Sequence, residues 1–329
     1  MKVKFDIYLP FENEDIELVE ITRLCIDELI DNSSLISIPL DDFGEADLEI
    51  EKTTVEEIEE LKNDYPTFFK GKYLDIIHFL STIEFEAIYA FEDSKGVEEI
   101  SKDSLNFALI TSVFESRFKN FLTFTQLALP GSLLTDKGLF IRDGKYYHDL
   151  RPLSSNLLNV VYEKNITWPH TDRLTIRKVW NYIKDETCIL TKKSETKIEN
   201  GLNAFSYLIE NNSDSMQSLF WAMYGIEALY TEREIGMGYQ IDIKAKLFLG
   251  EPKENKNLLK ELYNFRSKFI HGNMKTPINW GWLSDDNHDK YDEEFYNMEC
   301  LATRLLTATL QMIIKRDLKR FDFEFKLIE

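Results

Sequence analysis

An arginine and a histidine stand five positions apart in the stretch ELYNFRSKFIHG, residues 261 to 272. On a helical wheel with about 100° per residue, Arg266 falls inside the apolar arc that Leu262 and Phe269 help to form. A guanidinium keeps its charge at any ordinary pH, so an arginine on the core side of a helix needs a paired partner or an anionic ligand. His271 follows near the helix end, where an imidazole can exchange a proton near neutral pH. This combination predicts chemistry on a phosphate group.

The helix that must position the arginine is predicted to stop at Gly272, because glycine favours the left-handed backbone that ends helices. A second helix, predicted in SMQSLFWAMYGIEALYTE, carries Glu227 inside its own apolar arc. Two helices of one bundle with opposite charges on their core sides predict an ion pair between Glu227 and Arg266. The same pattern also fits a pair that only fixes the register of the two helices.

A second arginine and histidine at similar spacing are interpreted as unrelated to this chemistry. Arg142 and His148 lie in IRDGKYYH, and the dipeptide Asp143-Gly144 between them favours a tight hairpin turn. We therefore predict a β-hairpin at that place. Arg266 and His271 differ from that pair because they belong to a predicted helix that has an apolar arc and ends at a glycine.

The elements around these residues predict two domains. Residues 1–165 mix strand and helix signals, with strands predicted in VKFDIYL, DLEIEK and STIEFEAIYAF and helices in VEEIEELKNDYP, around KYLDIIHFL and in SLNFALITSVFESRFKNFLTFTQLAL. Residues 166–329 give almost entirely helical signals, with helices predicted in TDRLTIRKVWNYIKD, SETKIENGLNAFSYLIEN, SMQSLFWAMYGIEALYTE and KNLLKELYNFRSKFIHG and from about Glu293 to Lys319. The predicted fold class is an α+β N-terminal domain followed by an all-α helical bundle.

The acidity of the chain is confined to its N-terminal part. The net charge is −19, and residues 1 to 100 alone carry 27 acidic and 8 basic side chains. The remaining chain is balanced, so local positive patches there allow RNA binding. The acidic part is interpreted as a solvated surface or as a docking face for a regulatory partner.

Composition and sequence pattern exclude several classes of protein. No apolar run is long enough to span a membrane, and MKVKFDIYLPFENED lacks the apolar core of a signal peptide. The three cysteines, Cys25, Cys188 and Cys300, lack the spacing of a zinc site, and no motif indicates a cofactor. We therefore predict a cytoplasmic protein that needs neither metal nor cofactor.

The runs LYNFRSKFIHG and FWAMYGIEALY together resemble the Apea-like branch of the HEPN superfamily over roughly residues 195 to 320. HEPN domains are helical and include many RNases of toxin and antiphage systems. The resemblance implies that Arg266 and His271 form a metal-independent RNase motif in the cleft of a homodimer. It also implies supporting roles for Ser267, the polar residue after the arginine, and for Glu227 in the upstream helix.

The resemblance therefore predicts an endoribonuclease of the defence or toxin type, with RNA as the substrate and a trigger or regulatory partner acting through the N-terminal domain. RNA carries its own nucleophile, the 2′-hydroxyl, so cleavage needs proton transfer and charge stabilisation rather than a metal. The alternative is a non-catalytic HEPN module that binds a nucleotide, RNA or a partner protein.

Trp280 and Trp282 follow the motif in the chain. They either stack on bases or pack against the bundle.

Overall fold

The structure is a computed structural model that describes residues 1–12, 16–32, 36–66, 68–69, 73–86, 102–133, 137–150, 157, 167–210, 215–232, 236–274 and 286–324. The chain divides into two compact units. The first comprises Met1–Leu153 and Thr175–Asp185, and the second comprises Ser154–Leu174 and Glu186–Glu329. The predicted boundary at residue 165 lies outside the described residues.

Antiparallel strands form the centre of the first unit. They are β1 (Lys2–Glu12), β2 (Ser37–Pro39), β3 (Glu45–Asp47), β4 (Glu49–Lys52), β5 (Tyr73–Glu84), β6 (Gly138–Arg142) and β7 (Lys145–Leu150). Five of them form one sheet in the order β4, β5, β1, β6, β7, and β2 pairs with β3 in a second sheet. The strands predicted in VKFDIYL and DLEIEK are thereby confirmed.

The first unit also contains four described helices, α1 (Ile16–Asp31), α2 (Val55–Asp64), α3 (Lys102–Ala128) and α4 (Ile176–Glu186). Helices α3 and α2 lie on opposite faces of the larger sheet. Phe5 of β1 stacks on Phe114 of α3 with ring centroids 4.4 Å apart. On the opposite face Leu61 of α2 packs in one apolar cluster with Ile76 and Leu139. Because side chains alternate along a strand, the sheet buries apolar residues on both faces.

Helix α4 packs within the first unit. The Nε1 of Trp180 donates a hydrogen bond to the carbonyl of Ser37 at 2.9 Å. The same indole packs edge-on against Phe121 at 5.2 Å between ring centroids. These contacts explain why Thr175–Asp185 belongs to a unit that is otherwise formed by the first 153 residues.

One predicted element is wrong in type. The stretch KYLDIIHFL, predicted as a helix, lies mainly in strand β5, which pairs antiparallel with β1 from Lys2–Glu84 to Glu12–Tyr73. Its apolar residues satisfy a helical spacing and also the pattern of a strand buried on both faces. Long-range pairing with β1 and β4 decides in favour of the strand.

Five helices form the described part of the second unit. They are α5 (Lys197–Glu210), α6 (Ser215–Tyr230), α7 (Met237–Leu249), α8 (Leu258–Ile270) and α9 (Asp286–Lys315). Helices α5, α6, α8 and α9 were predicted, whereas α7 was not. The chain is therefore α+β in its first unit and helical in its second, as the sequence predicts at this level. None of the described helices combines the length and the apolar character that a membrane span requires.

Helix α6 lies against α5 and α9 at a glycine. A Cβ added to Gly225 would meet Leu306 of α9 at 2.8 Å and Ala204 of α5 at 2.9 Å, closer than side-chain carbons pack. Further along α6, the hydroxyl of Tyr230 hydrogen-bonds the hydroxyl of Thr309 at 2.8 Å in the buried core. These contacts fix the position of α6, and so of the Glu227 side chain that it carries.

Candidate functional site

Helix α8 ends as the sequence predicts. Gly272 has φ +67°, in the left-handed region that glycine adopts without strain. The N–H of Gly272 donates to the carbonyl of Phe269 at 3.2 Å, and that of Asn273 donates to Lys268 at 2.8 Å, the hydrogen-bond pair of a Schellman motif. His271 is the C-cap residue, and its side chain is exposed.

The predicted ion pair between the two helices is confirmed. The Nη2 of Arg266 donates to Oε2 of Glu227 at 2.9 Å. The pair is not fully buried, because the side chains of Arg266 and Glu227 retain 21% and 16% of their accessible surface. An arginine has five N–H donors in a planar fork, so one bond to Glu227 leaves donors for an anion that reaches the pair from solvent.

The carboxylate of Glu227 occupies an unfavourable environment. Burial raises the pKa of Glu227 above its ordinary value, and the positive charge of Arg266 offsets only part of this effect. Its second oxygen, Oε1, is buried and has no hydrogen-bond partner among the described residues. Removal of the arginine would therefore leave this carboxyl group without its one described cation.

The pair lies in a small pocket that is partly open to solvent and is here called the arginine pocket; its empty space is about 300 Å³ when the solvent at its mouth is included. Its lining residues come from α6 and α8: Leu219, Phe220, Met223, Tyr224, Glu227, Arg266, Phe269 and Ile270. His271 and Ser267 are not among them. The carbonyl of Ser267 accepts the N–H of His271 at 3.1 Å, so its described contact is within the helix end.

The geometry therefore joins some of the predicted site residues and separates others. Arg266 and Glu227 meet, whereas His271 is the C-cap residue of the helix and does not line their pocket. At about 100° per residue, five positions place His271 about 140° around the helix axis from Arg266. A single chain thus presents the cation and the imidazole on different sides of one helix. A complete site that uses both residues needs a second copy or a substrate that bridges them.

The arginine and histidine at the N-terminal hairpin have structural partners. Strands β6 and β7 form the predicted hairpin, with Asp143 and Gly144 both at positive φ in the turn. Arg142 donates to the hydroxyl of Thr111 at 3.0 Å, and His148 pairs with Glu115 at 2.8 Å. This arrangement confirms the interpretation of that pair as part of a hairpin.

Comparison with known proteins gives no relative from which a function could be transferred. No family model, no curated protein and no solved structure matches this chain. Within the described ranges, no group of three or more His, Cys, Asp and Glu side chains is placed to hold a metal ion. The predicted independence from metal stays a prediction.

Two residues at the site are more exposed than the helical wheel predicts. Phe220 and Ile270 fall inside the predicted apolar arcs, but they retain 44% and 43% of their accessible surface. Leu219, Met223 and Leu262, from the same arcs, are buried as predicted. The signal in the sequence was the dense aromatic run FWAMY, which supplies more large rings than one buried helix face can hold. Trp280 and Trp282 lie outside the described residues.

The loop before α5 is held by one carboxylate. Glu199 accepts backbone N–H hydrogen bonds from Cys188 at 2.8 Å, Glu195 at 2.8 Å and Thr196 at 2.9 Å. Burial alone would raise the pKa of Glu199, but these donors and the Cys188 thiol outweigh it and lower the pKa to about 2. The ionised form of Glu199 therefore stabilises the segment that leads into α5.

We expect Glu199→Gln to lower the free energy of unfolding by about 2–3 kcal/mol at neutral pH, since charge-assisted hydrogen bonds are lost. The folded-state pKa is depressed, so the stabilisation by Glu199 is present above the unfolded pKa near 4.5 and is lost as the pH falls toward about 2. Urea unfolding of the full chain should show the difference between wild type and variant shrinking in that range. Glu195→Gln, at an exposed position, serves as the control. A difference independent of pH would contradict this role.

Proposed function

We propose that this protein is a metal-independent endoribonuclease of the HEPN type, acting in the cytoplasm in defence or as a toxin. The observation that supports it most is the Arg266–Glu227 pair in a pocket open to solvent, at the end of a helix that also presents His271. Arg266 is the residue that binds a phosphoryl group, Glu227 orients it, and His271 transfers protons.

The reaction follows from the residue types. The 2′-oxygen of a ribose attacks the adjacent phosphorus, the bond to the 5′-oxygen breaks, and the products are a 2′,3′-cyclic phosphate and a 5′-hydroxyl. One proton must leave the 2′-hydroxyl and one must reach the departing 5′-oxygen. Arg266 stabilises the negative charge on the phosphoryl oxygens through paired N–H donors. A neutral imidazole can perform the first transfer and an imidazolium the second.

A homodimer would supply both imidazoles. A single chain has one His271, and that residue does not line the pocket of its own Arg266. Two copies that meet beside the arginine pocket would bring two histidines and two arginines to one cleft. The exposed side chains of Phe220, Ile270 and Met216 give the apolar surface for such contact. They are here called the apolar rim.

We expect the purified protein to be a dimer at micromolar concentration, as measured by light scattering coupled to gel filtration. Met216→Glu should give a monomer without cleavage activity, because a charge in the apolar rim opposes association and Met216 does not line the arginine pocket. Leu247→Glu is the matched control, since Leu247 of α7 is 67% exposed and outside the arginine pocket. A wild-type monomer that cleaves RNA would contradict the dimeric site.

The second candidate is a non-catalytic module that binds a nucleotide, RNA or a partner protein. It is favoured by the position of His271, which is exposed and outside the arginine pocket of its own chain. In this case Arg266 would bind an anionic group without chemistry. Under either function, the acidic first unit is proposed as the part on which a regulatory partner or trigger acts.

Cleavage of RNA in the presence of EDTA separates the two candidates. We expect the wild-type protein to cut total RNA or tRNA when divalent metal is removed. The His271→Ala and His170→Ala variants should be assayed beside it, since His170 is another exposed histidine of the second unit. Activity lost only with His271 supports the endoribonuclease. If no preparation cleaves RNA but the protein still binds it, the non-catalytic module is supported.

A further inference from the structure

A second concave surface adjoins the arginine pocket. It is a groove partly open to solvent, with an empty space of about 560 Å³ when the solvent at its mouth is included, and we call it the aromatic groove. Its lining includes Ser194, Asn200, Asn203, Tyr207, Trp221 and Tyr224. Phe220 and Tyr224 line both the aromatic groove and the arginine pocket, so the two concavities share a wall.

The rings of the groove present exposed flat surface. Tyr207 of α5 stacks on Trp221 of α6, with centroids 4.3 Å apart and planes inclined by 14°. Tyr224 meets the same indole edge-on at 5.8 Å. Tyr207 and Tyr224 retain 49% and 45% of their accessible surface. A planar ligand can stack on an exposed aromatic ring of this kind, and such stacking tolerates different bases because each has a flat face.

Polar groups lie in the same groove. The Nδ2 of Asn203 donates to the hydroxyl of Ser194, which leaves the carbonyl oxygen of that side chain as an acceptor. The carboxamide of Asn200 has no hydrogen-bond partner among the described residues and offers both a donor and an acceptor. Aromatic faces next to carboxamides are the groups that bind an unpaired nucleobase, by stacking and by hydrogen bonds to its edge.

Positive charge flanks the groove. Lys192 and Lys193 are exposed and precede Ser194 directly in the chain. Arg266 lies beyond the wall that the groove shares with the arginine pocket. Two lysines directly before a groove residue and an arginine in the neighbouring pocket suit a strand whose phosphates run past the groove while one base is inserted.

We propose that the aromatic groove binds one base of a single-stranded RNA whose neighbouring phosphate reaches Arg266. This inference rests on the proposed function, for which it supplies a substrate class, an unpaired strand instead of a duplex. The carboxamides argue against the groove as the contact surface between copies, since an apolar partner would leave them without hydrogen bonds. Ile270 of the apolar rim lines the arginine pocket and not the aromatic groove, so the dimer contact is assigned to the side of the arginine pocket.

The test measures binding separately from cleavage. A fluorescein-labelled, single-stranded 2′-O-methyl oligouridylate cannot be cut by attack of a 2′-hydroxyl, so it reports affinity alone. An abasic oligomer of the same length keeps the phosphates and removes the bases. By fluorescence anisotropy, we expect Tyr207→Ala to weaken binding of the oligouridylate about tenfold or more. The variant and the wild type should bind the abasic oligomer equally and weakly.

Two further variants and a control complete the design. Tyr207→Phe keeps the ring and should bind as the wild type does. Asn200→Asp places a carboxylate in the groove and should weaken binding even if Tyr207→Ala fails to fold. Tyr239→Ala removes another tyrosine of the second unit, 71% exposed on α7, and should have no effect.

The inference is overturned if the wild type binds the abasic oligomer as tightly as the oligouridylate, or if Tyr207→Ala leaves both affinities unchanged. A Tyr207→Ala protein that changes only its monomer–dimer equilibrium would assign the groove to contact between copies and would also overturn it. Base-dependent binding without cleavage of ordinary RNA would support the groove and contradict only the endoribonuclease. Cleavage by a protein whose groove variants bind normally would contradict only the groove.

Discussion

The His271→Ala variant is expected to cleave RNA at least about a hundredfold more slowly than the wild type, the usual contribution of a positioned proton-transfer group. Its unfolding temperature should not change, because the side chain is exposed at the C-cap of α8. Cleavage is followed with a labelled RNA in EDTA, and unfolding is followed by circular dichroism.

The backbone of His271 is involved in the end of the helix, but alanine keeps its N–H and its carbonyl. The Schellman motif at Gly272 is therefore expected to form in the variant. His170→Ala, the matched control, should retain full activity. Undiminished cleavage by His271→Ala would remove this histidine from the mechanism.

Arg266→Ala is expected to abolish cleavage and also to lower the free energy of unfolding by about 1–3 kcal/mol, since it leaves a half-buried carboxyl group without its partner. The expected cost lies below that of a fully buried pair because both side chains retain some exposure. Loss of a donor that stabilises developing charge lowers a rate by about a hundredfold to a thousandfold.

Two further variants separate the roles of this arginine. Arg266→Lys keeps the charge near Glu227 but loses the planar paired donors, so we expect stability to recover more than activity. The double variant Arg266→Ala with Glu227→Leu should be more stable than Arg266→Ala alone, because the isolated carboxyl group is gone. Full cleavage by the Arg266→Lys variant would contradict the prediction that Arg266 makes a bidentate contact with the phosphate.

The contact between Arg266 and Glu227 was predictable from sequence because two general constraints apply to it. The helical period places each side chain on a known face, and an ionised group on an apolar face needs a partner. The end of α8 was predictable for a similar reason, since Gly272 adopts a positive φ that other residues rarely adopt. Local chemistry determines both features.

The exposure of Phe220 and Ile270 was not predictable in the same way. Periodicity gives the angle of a side chain around its helix, but it does not say where the neighbouring helices stop. Both residues lie at the edge of an arc whose centre is covered, as the buried Leu219 and Leu262 show. The aromatic groove likewise depends on Tyr207 and Trp221, from two helices whose mutual orientation is a tertiary property.

In the first unit, strand β5 is likewise a feature that depends on tertiary contacts. Its predicted helix was wrong because the stretch KYLDIIHFL satisfies two periods, and only its partners select between them. Those partners are distant in sequence, as the pairing of Lys2 with Glu84 shows. The hairpin at Asp143-Gly144 was predicted correctly because its turn is encoded by two adjacent residues.

The most direct measurement is the chemical nature of the RNA ends after cleavage in EDTA. Attack by the RNA's own hydroxyl predicts a 2′,3′-cyclic phosphate on one product and a 5′-hydroxyl on the other. An oligonucleotide with a single ribonucleotide among deoxyribonucleotides should be cut only after that ribonucleotide, and only by protein with Arg266 and His271 intact. Products ending in a 3′-hydroxyl and a 5′-phosphate, or cleavage that requires divalent metal, would contradict the account.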